Sequence, residues 1–475
     1  MRIPTLLMML FLVVTASGQS ILDEGQTLTL DTYLEWVKAY HPVARRGALL
    51  ESRTAAQQLM ARGGFDPKLY SDIEQKSFDG KTYFTVGEAG MKIPSWFGTS
   101  FKLGYQWSNG VFLNPEAQLP DVGQAIAGIE LTALRGLVID ERRAALQKAK
   151  LVDELNDAER DRMVNDLLFD ASKAYWDWVF AYNSVLILDE VIQAAEIRFE
   201  NVRESYLFGD KPAVDTLESL IQVQNRQLDL NEAKVRLQNA QLSLSVFLWY
   251  ENEIPLELTE QVKAPGLDQL PAEPMSVLAP DAGLPQANQH PALRSYRQQL
   301  EMLDVDRRLA AEMLKPSLNL SYQFLGSGFD LVNAPDPEMD GLTNLIMQNY
   351  KWGIQFNFPL LLRKERGKLQ LTDLKIVDTN YKFRQKQQEI RVKVRNYQEL
   401  IATQRGQISL AQSITLNYRS LLDAELERFR LGGSSIFLIN SREQKWIDAR
   451  LKLAKLQAEL QKLEIGLRWA AGVLN

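Results

Sequence analysis

The chain has 475 residues, a formal net charge of −6, two histidines and no cysteine. The absence of cysteine excludes a disulfide framework and a lipid-bearing cysteine near the N-terminus. The acidic balance, with no basic stripe along the chain, argues against a nucleic-acid partner, since a polyanion is bound by clustered Lys and Arg.

Residues 1–18 read as a secretory signal: Arg2 near the start, an apolar run from Leu6 to Val14, and Ala16-Ser17-Gly18 as a small-residue cleavage site. Beyond it no stretch approaches the ~18 consecutive apolar residues of a spanning helix, so any membrane passage falls to β-strands. The first repeat is expected over 19–250. His41-Pro42 opens a helix over 42–63, which ends before Pro67 in FDPKLY. Strands are expected over 67–132, where TSFKLGYQW (99–107) and AGIELT (127–132) alternate polar with apolar residues at period two. KTYFTVGEAGMKIPSWFG (81–98) leaves open whether residues 81–107 add barrel strands or form an extra hairpin.

A long helix follows over 136–208, free of proline and glycine from Leu137 to Phe208. At 1.5 Å per residue such a rod is on the order of 100 Å long and needs partners along its length. It ends in SYLFGDKPAVDTLES (205–219), after which a helix is expected over 212–249. Here Ile221, Leu228, Val235 and Leu242 recur every seventh residue, as do Val223, Leu230, Leu237 and Leu244. Positions two apart lie about 200° apart around the axis, so these are two seams on nearly opposite sides. A helix with two seams is flanked on both sides, like a stave in a cylinder wall. A closed bundle with a dry core is the other arrangement this periodicity admits.

Residues 251–289 carry Pro255, Pro265, Pro271, Pro274, Pro280 and Pro285 and read as an irregular connector around the helical part. Then the pattern returns over 290–475. His290-Pro291 opens a helix over 291–314 that ends before Pro316, the same interval as from Pro42 to Pro67. Strands SLNLSYQFL (317–325) and YKWGIQFNF (350–358) fill 317–358. A second long helix spans 362–431 and RFRLGGSSIFLINS (428–441) follows. The last helix, 434–471, carries Ile439, Trp446, Leu453, Leu460 and Leu467 in one heptad row. GIELTALRGLVIDERRAAL (128–146) likewise returns as GIQFNFPLLLRKERGKL (353–369). The chain therefore reads as two tandem copies of one fold-sized unit, mostly helical, with a smaller β part. Each copy offers few strands. Open edges in hydrocarbon cost several kcal/mol per unpaired group and closed barrels begin at 8 strands, so several chains would have to pool theirs.

The order, duplication and spacing of these segments resemble the TolC-like outer-membrane efflux proteins over essentially the whole mature chain. The resemblance implies an α+β membrane protein, mostly α, in which a homotrimer shares one β-barrel in outer-membrane lipid and a long α-helical barrel in the periplasm. It implies that the helices starting at Pro42 and Pro212 stack end to end against one long rod, and those at Pro291 and Ser434 against the other. It also implies docking of a periplasmic adaptor, or membrane fusion protein, and an inner-membrane pump at the helix-turn-helix tips. Carried over residue by residue, the tips comprise Tyr206, Leu207, Phe208, Gly209, Asp210 and Asp215 in the first copy. In the second they comprise Arg430, Leu431, Gly432, Gly433, Ser434 and Leu438. Some family members place acids just after the second tip; here those offsets hold Leu438 and Ser441. Candidate entrance acids are therefore Asp215 and Glu218 of the first tip, although first-turn acids are also what a helix dipole favours.

No catalytic, cofactor or metal site is expected. Two distant His-Pro pairs do not make a zinc site, and HExxH, GxSxG and Walker glycine loops are missing. Gly432-Gly433 has no Lys-Ser partner and reads as a helix-ending turn. Carboxylates such as Asp153 and Glu154 are expected on solvated faces, and Tyr175, Trp176 and Trp178 are expected to pack. The function implied is a passive exit duct for small molecules or proteins in a tripartite efflux or type I secretion system. The alternative is a periplasmic coiled-coil adaptor or scaffold.

Overall fold

A computed structural model describes residues 27–259, 261–267, 289–331, 341 and 348–474. The expected signal segment and Pro271, Pro274, Pro280 and Pro285 of the connector lie outside the described residues. In chain order the helices are α1 (Leu30–Tyr40), α2 (Pro42–Arg62), α3 (Glu141–Leu207), α4 (Ala213–Ser245), α5 (Pro291–Glu312), α6 (Arg363–Arg430) and α7 (Ile436–Ala471). The strands are β1 (Lys68–Phe78), β2 (Lys81–Pro94), β3 (Thr99–Asn109), β4 (Gln124–Leu134), β5 (Trp249–Tyr250), β6 (Ile254–Pro255), β7 (Ser317–Leu325) and β8 (Tyr350–Asn357).

Two compact units divide the chain. One comprises Met1–Arg46, Arg162–Pro285 and Ile390–Asn475, and the other Gly47–Asp161 and Gln286–Glu389. The long helices α3 and α6, of 67 and 68 residues, contribute to both.

Both histidines turn out to be helix caps. His41 Nδ1 accepts the backbone N–H of Val43 at 3.2 Å, and His290 Nδ1 accepts that of Ala292 at 3.1 Å. Each therefore satisfies a donor that the first turn of a helix leaves orphaned, while the following proline supplies the preset φ of its first position. The accepting Nδ1 must be unprotonated, and burial pushes the His41 pKa down, which favours that form.

The first unit is mostly helical and packs around a buried hydrophobic cluster. Trp178, Val179, Tyr33 and Leu244 are fully enclosed, and Tyr33 stacks on Tyr175 with centroids 5.6 Å apart. Tyr175 donates its hydroxyl to the Leu28 carbonyl at 2.7 Å, and burial holds that hydroxyl protonated far above its usual range. The first part of the connector joins this core through Leu258, Val262 and Leu267, anchored by Asn183 Nδ2 on the Pro265 carbonyl at 3.0 Å.

The second unit is built on a six-stranded antiparallel sheet in the order β1-β2-β3-β4-β7-β8. Residues 81–107 are thus part of this sheet. Asp79 and Gly80, both at positive φ, make the two-residue turn between β1 and β2, the chemistry a type I′ hairpin requires. At the other end β4 runs into α3 later than the expected start at 136. Gly136 sits at φ +84° in a turn, and Asp140 Oδ1 then caps α3 by accepting Arg143 N–H at 2.8 Å. Buried Glu312 steadies this corner by accepting from the backbone N–H of Gly136 at 3.2 Å while pairing with Lys315 at 2.7 Å. Glu154, expected on a solvated face, is exposed and also accepts from Gln298 on α5.

Candidate functional site: the helix-turn-helix tips

The two tips close by one and the same backbone device. At the end of α3, Gly209 N–H donates to Tyr206 O at 2.9 Å and Asp210 N–H to Ser205 O at 2.9 Å. At the end of α6, Gly432 N–H donates to Phe429 O at 3.0 Å and Gly433 N–H to Arg428 O at 2.8 Å. Each is a Schellman turn, and each puts its glycine in the left-handed region, φ +82° at Gly209 and +77° at Gly432. A Cβ added at either would meet nothing, so backbone conformation alone selects glycine.

Tyr206, Leu207, Phe208 and Asp210 are exposed, as are Arg430, Leu431 and Gly433, with Leu207 at 72 %, Phe208 at 82 % and Leu431 at 79 %. Ser434 is half-buried and donates to Glu425 at 2.6 Å. Leu438 is half-buried, and its N–H donates to the cap residue Ser435. Lys211 lies 4.4 Å from the ring centroid of Phe429, so the two tips touch. Asp215 and Glu218 both fall in the first two turns of α4. Glu218 lines a groove between α4 and α7 that also includes Arg226, Phe437, Asn440 and Gln444. Asp215 does not line that groove.

Sequence reasoning missed the polar residues that tie the tip helices to one another, Arg198 and Arg226 between the hairpins and Glu425 within the second. Arg198 on α3 grips Glu443 on α7 with two nitrogens, at 2.5 and 3.0 Å. Arg226 on α4, 1 % exposed, donates to Gln444 at 2.5 Å and pairs with Asp229 at 3.3 Å. Glu425, 5 % exposed, holds Ser434 and faces Arg428 and Arg442 at 3.9 and 3.8 Å. Heptad arithmetic on single helices carries no signal for pairs more than two hundred residues apart.

Glu443 is 5 % and Arg198 16 % exposed, so this pair belongs between the strong buried and weak surface regimes. Glu443→Ala is expected to cost about 2 kcal/mol, which corresponds to roughly thirtyfold faster amide exchange in the tip helices. Hydrogen exchange across residues 436–447 measures it. Exchange unchanged from the parent chain would remove this pair from the clamp.

Residues 286–473 match the model of the outer membrane efflux protein family. No curated protein sequence matches the chain. Among solved structures, the open-state MtrE outer membrane channel of Neisseria gonorrhoeae superposes with a TM-score of 0.67 at 13% identity, covering 94% of this chain and 89% of that one. The CmeC outer membrane channel of Campylobacter jejuni gives 0.62 at 14% identity, covering 94% and 85%. The outer membrane protein VceC of Vibrio cholerae gives 0.62 at 12% identity, covering 93% and 96%. At these identities the superpositions establish the fold.

Proposed function

We propose that this chain, whose residues 286–473 match the outer membrane efflux protein family, is the outer-membrane exit duct of an efflux or secretion assembly and works as a homotrimer. The observation that carries this reading is the two-faced sheet. Along one row, Leu69, Met91, Leu103, Ala127, Phe324 and Tyr350 are register partners across all six strands. The adjacent row is Lys68, Lys92, Lys102, Gly128, Gln323 and Lys351. The apolar face is open to its surroundings: Leu69 is 85 % exposed, Ile73 62 %, Ile354 61 % and Phe356 63 %. An uncovered apolar sheet face of this extent calls for lipid or a partner. Strands of 8 to 14 residues suit a bilayer crossing. Among the described residues no helix is long and apolar enough to cross a membrane.

The helices support closure by several copies. In α4 the seam containing Leu230 and Leu244 is buried, whereas Ile221, Leu228, Val235 and Leu242 are 47 to 67 % exposed. One seam is therefore satisfied within the chain and the opposite one awaits a neighbouring copy. The exposed tips then offer a surface for a periplasmic adaptor that couples the duct to an inner-membrane pump. A passive duct of this kind carries small molecules or proteins chosen upstream.

Light scattering in detergent is expected to give three times the 54.1 kDa chain mass before signal removal, and planar bilayers are expected to show ion conductance. Carbonate extraction should leave the protein in the membrane. Release by carbonate, with a monomer mass and no conductance, would favour the periplasmic adaptor instead.

A further inference from the structure

Among the described residues the sheet ends in two unpaired edges, β1 and β8, and the residues on the outer hairpin decide what wall those edges can close. We infer that β1 and β2 are full members of the transmembrane wall, so that three copies form a barrel of eighteen strands in which β1 of one copy pairs with β8 of the next. This inference rests on the trimeric membrane reading above.

Three observations separate a wall hairpin from a flap. The first is the face partition, which continues to the edge: Leu69 and Ile73 of β1 share the lipid-facing side with Met91 and Ile93 of β2, and Lys68 and Asp72 share the other side with Lys92 and Glu88. A hairpin lying outside the hydrocarbon has no reason to keep that phase with β3 to β8. The second is a continuous polar network on the inner side. Glu88 of β2 accepts from Tyr70 of β1 at 2.5 Å and from Gln106 of β3 at 2.8 Å, and it pairs with Lys102 of β3 at 2.6 Å. Lys92 of β2 reaches across β3 to Glu130 of β4. Detaching the hairpin would break its contacts with Gln106 and Lys102 of β3 and Glu130 of β4.

The third observation is length and direction. With 11 and 14 residues, β1 and β2 are each long enough to cross. In a six-stranded antiparallel sheet the first and last strands run in opposite directions, so β1 and β8 of successive copies meet as an antiparallel pair. Closure then leaves no edge, which hydrocarbon demands because each unpaired backbone group costs several kcal/mol there. Six strands from each of three copies give an even, antiparallel barrel within the known range, wide enough for an aqueous lumen.

The competing arrangement places β1 and β2 outside a wall made of β3, β4, β7 and β8 alone, so that β3 meets the neighbour's β8. The chain lacks cysteine, so introduced thiols report without background. Ile73→Cys on β1 or Leu103→Cys on β3 would be combined in turn with Trp352→Cys, Ile354→Cys and Phe356→Cys on β8, and treated in native membranes with a short bis-maleimide. Cross-linked dimers and trimers are expected from the β1 series and none from the β3 series. The mass of each variant in detergent is measured alongside. A trimer mass with cross-links from the β3 series, or with none from the β1 series, overturns the eighteen-strand wall while leaving the trimer standing. A monomer mass in the parent chain overturns both.

Discussion

Leu167→Pro is expected to abolish the assembled oligomer. Leu167 lies within α3, is 6 % exposed and belongs to the core of the first unit with Trp178, Val179 and Leu244. Proline there removes the backbone N–H that bonds one turn back and drives its ring into the preceding carbonyl, at about 3 kcal/mol or more. Removing the leucine side chain from a packed core adds about 2 kcal/mol or more for lost burial and cavity. The kink also changes the direction of everything beyond it. In the proposed trimer neighbouring long helices would have to stay in register, so a bend repeated in every copy would multiply the mismatch. The measurement is the amount of outer-membrane trimer set against total chain, with Leu167→Ala as the control that keeps the backbone straight. Leu167→Ala should lower trimer yield only partly, whereas normal trimer from Leu167→Pro would contradict the role given to α3.

Much of the architecture was legible because its causes are local. A mostly helical α+β chain follows from long stretches without glycine or proline beside short period-two segments, and the solved channels share that fold. His41-Pro42 and His290-Pro291 stood out as landmarks, and their common job as N-caps explains why the dipeptide occurs twice. The short helix α1 went unread. It is capped by Thr29, whose hydroxyl accepts from Thr32, and only Tyr33 and Val37 are buried, too few positions to raise a period above noise. β5 and β6, of two residues each, are fixed by contacts such as Trp36 Nε1 on the Trp249 carbonyl at 2.7 Å. That bond spans more than two hundred residues, beyond the reach of any local pattern. The place of residues 81–107 stayed open for a related reason: Gly87 and Gly90 interrupt the alternation within 81–94, and only pairing of β2 with β1 and β3 settles the phase. At the tips, the turn glycines were legible from the sequence, but Arg198, Arg226, Glu425 and Glu443 were not. Arg198, Arg226 and Glu443 matter through partners on the other hairpin and Glu425 through Ser434 across its own turn, and in isolation each is an ordinary charge on a helix.

Those turn glycines give the second large expected effect. Gly209→Val and Gly432→Val are expected to leave outer-membrane trimer at normal levels and to abolish export when combined. At φ +82° and +77° a β-branched side chain is strained by about 1–2 kcal/mol, and the Schellman bonds that close each turn oppose its relaxation. The open space around both positions means that the side chain itself displaces nothing, so the turn must give way first. Relaxing it moves Leu207, Phe208 and Leu431, the exposed apolar residues that the proposed docking surface presents, and it disturbs the Lys211 contact with Phe429. A strain of this size at the end of a helix leaves the buried core of the first unit in place, so assembly is expected to survive while the surface at the tips is not. Gly209→Ala and Gly432→Ala carry the same left-handed φ without β-branching and should impair export less. Export of a fluorescent substrate, read beside trimer counts and cross-linking to a co-expressed adaptor, measures the four single variants and the double valine variant. Normal export and normal adaptor capture by the double valine variant, at normal trimer levels, would show that docking happens elsewhere on the chain.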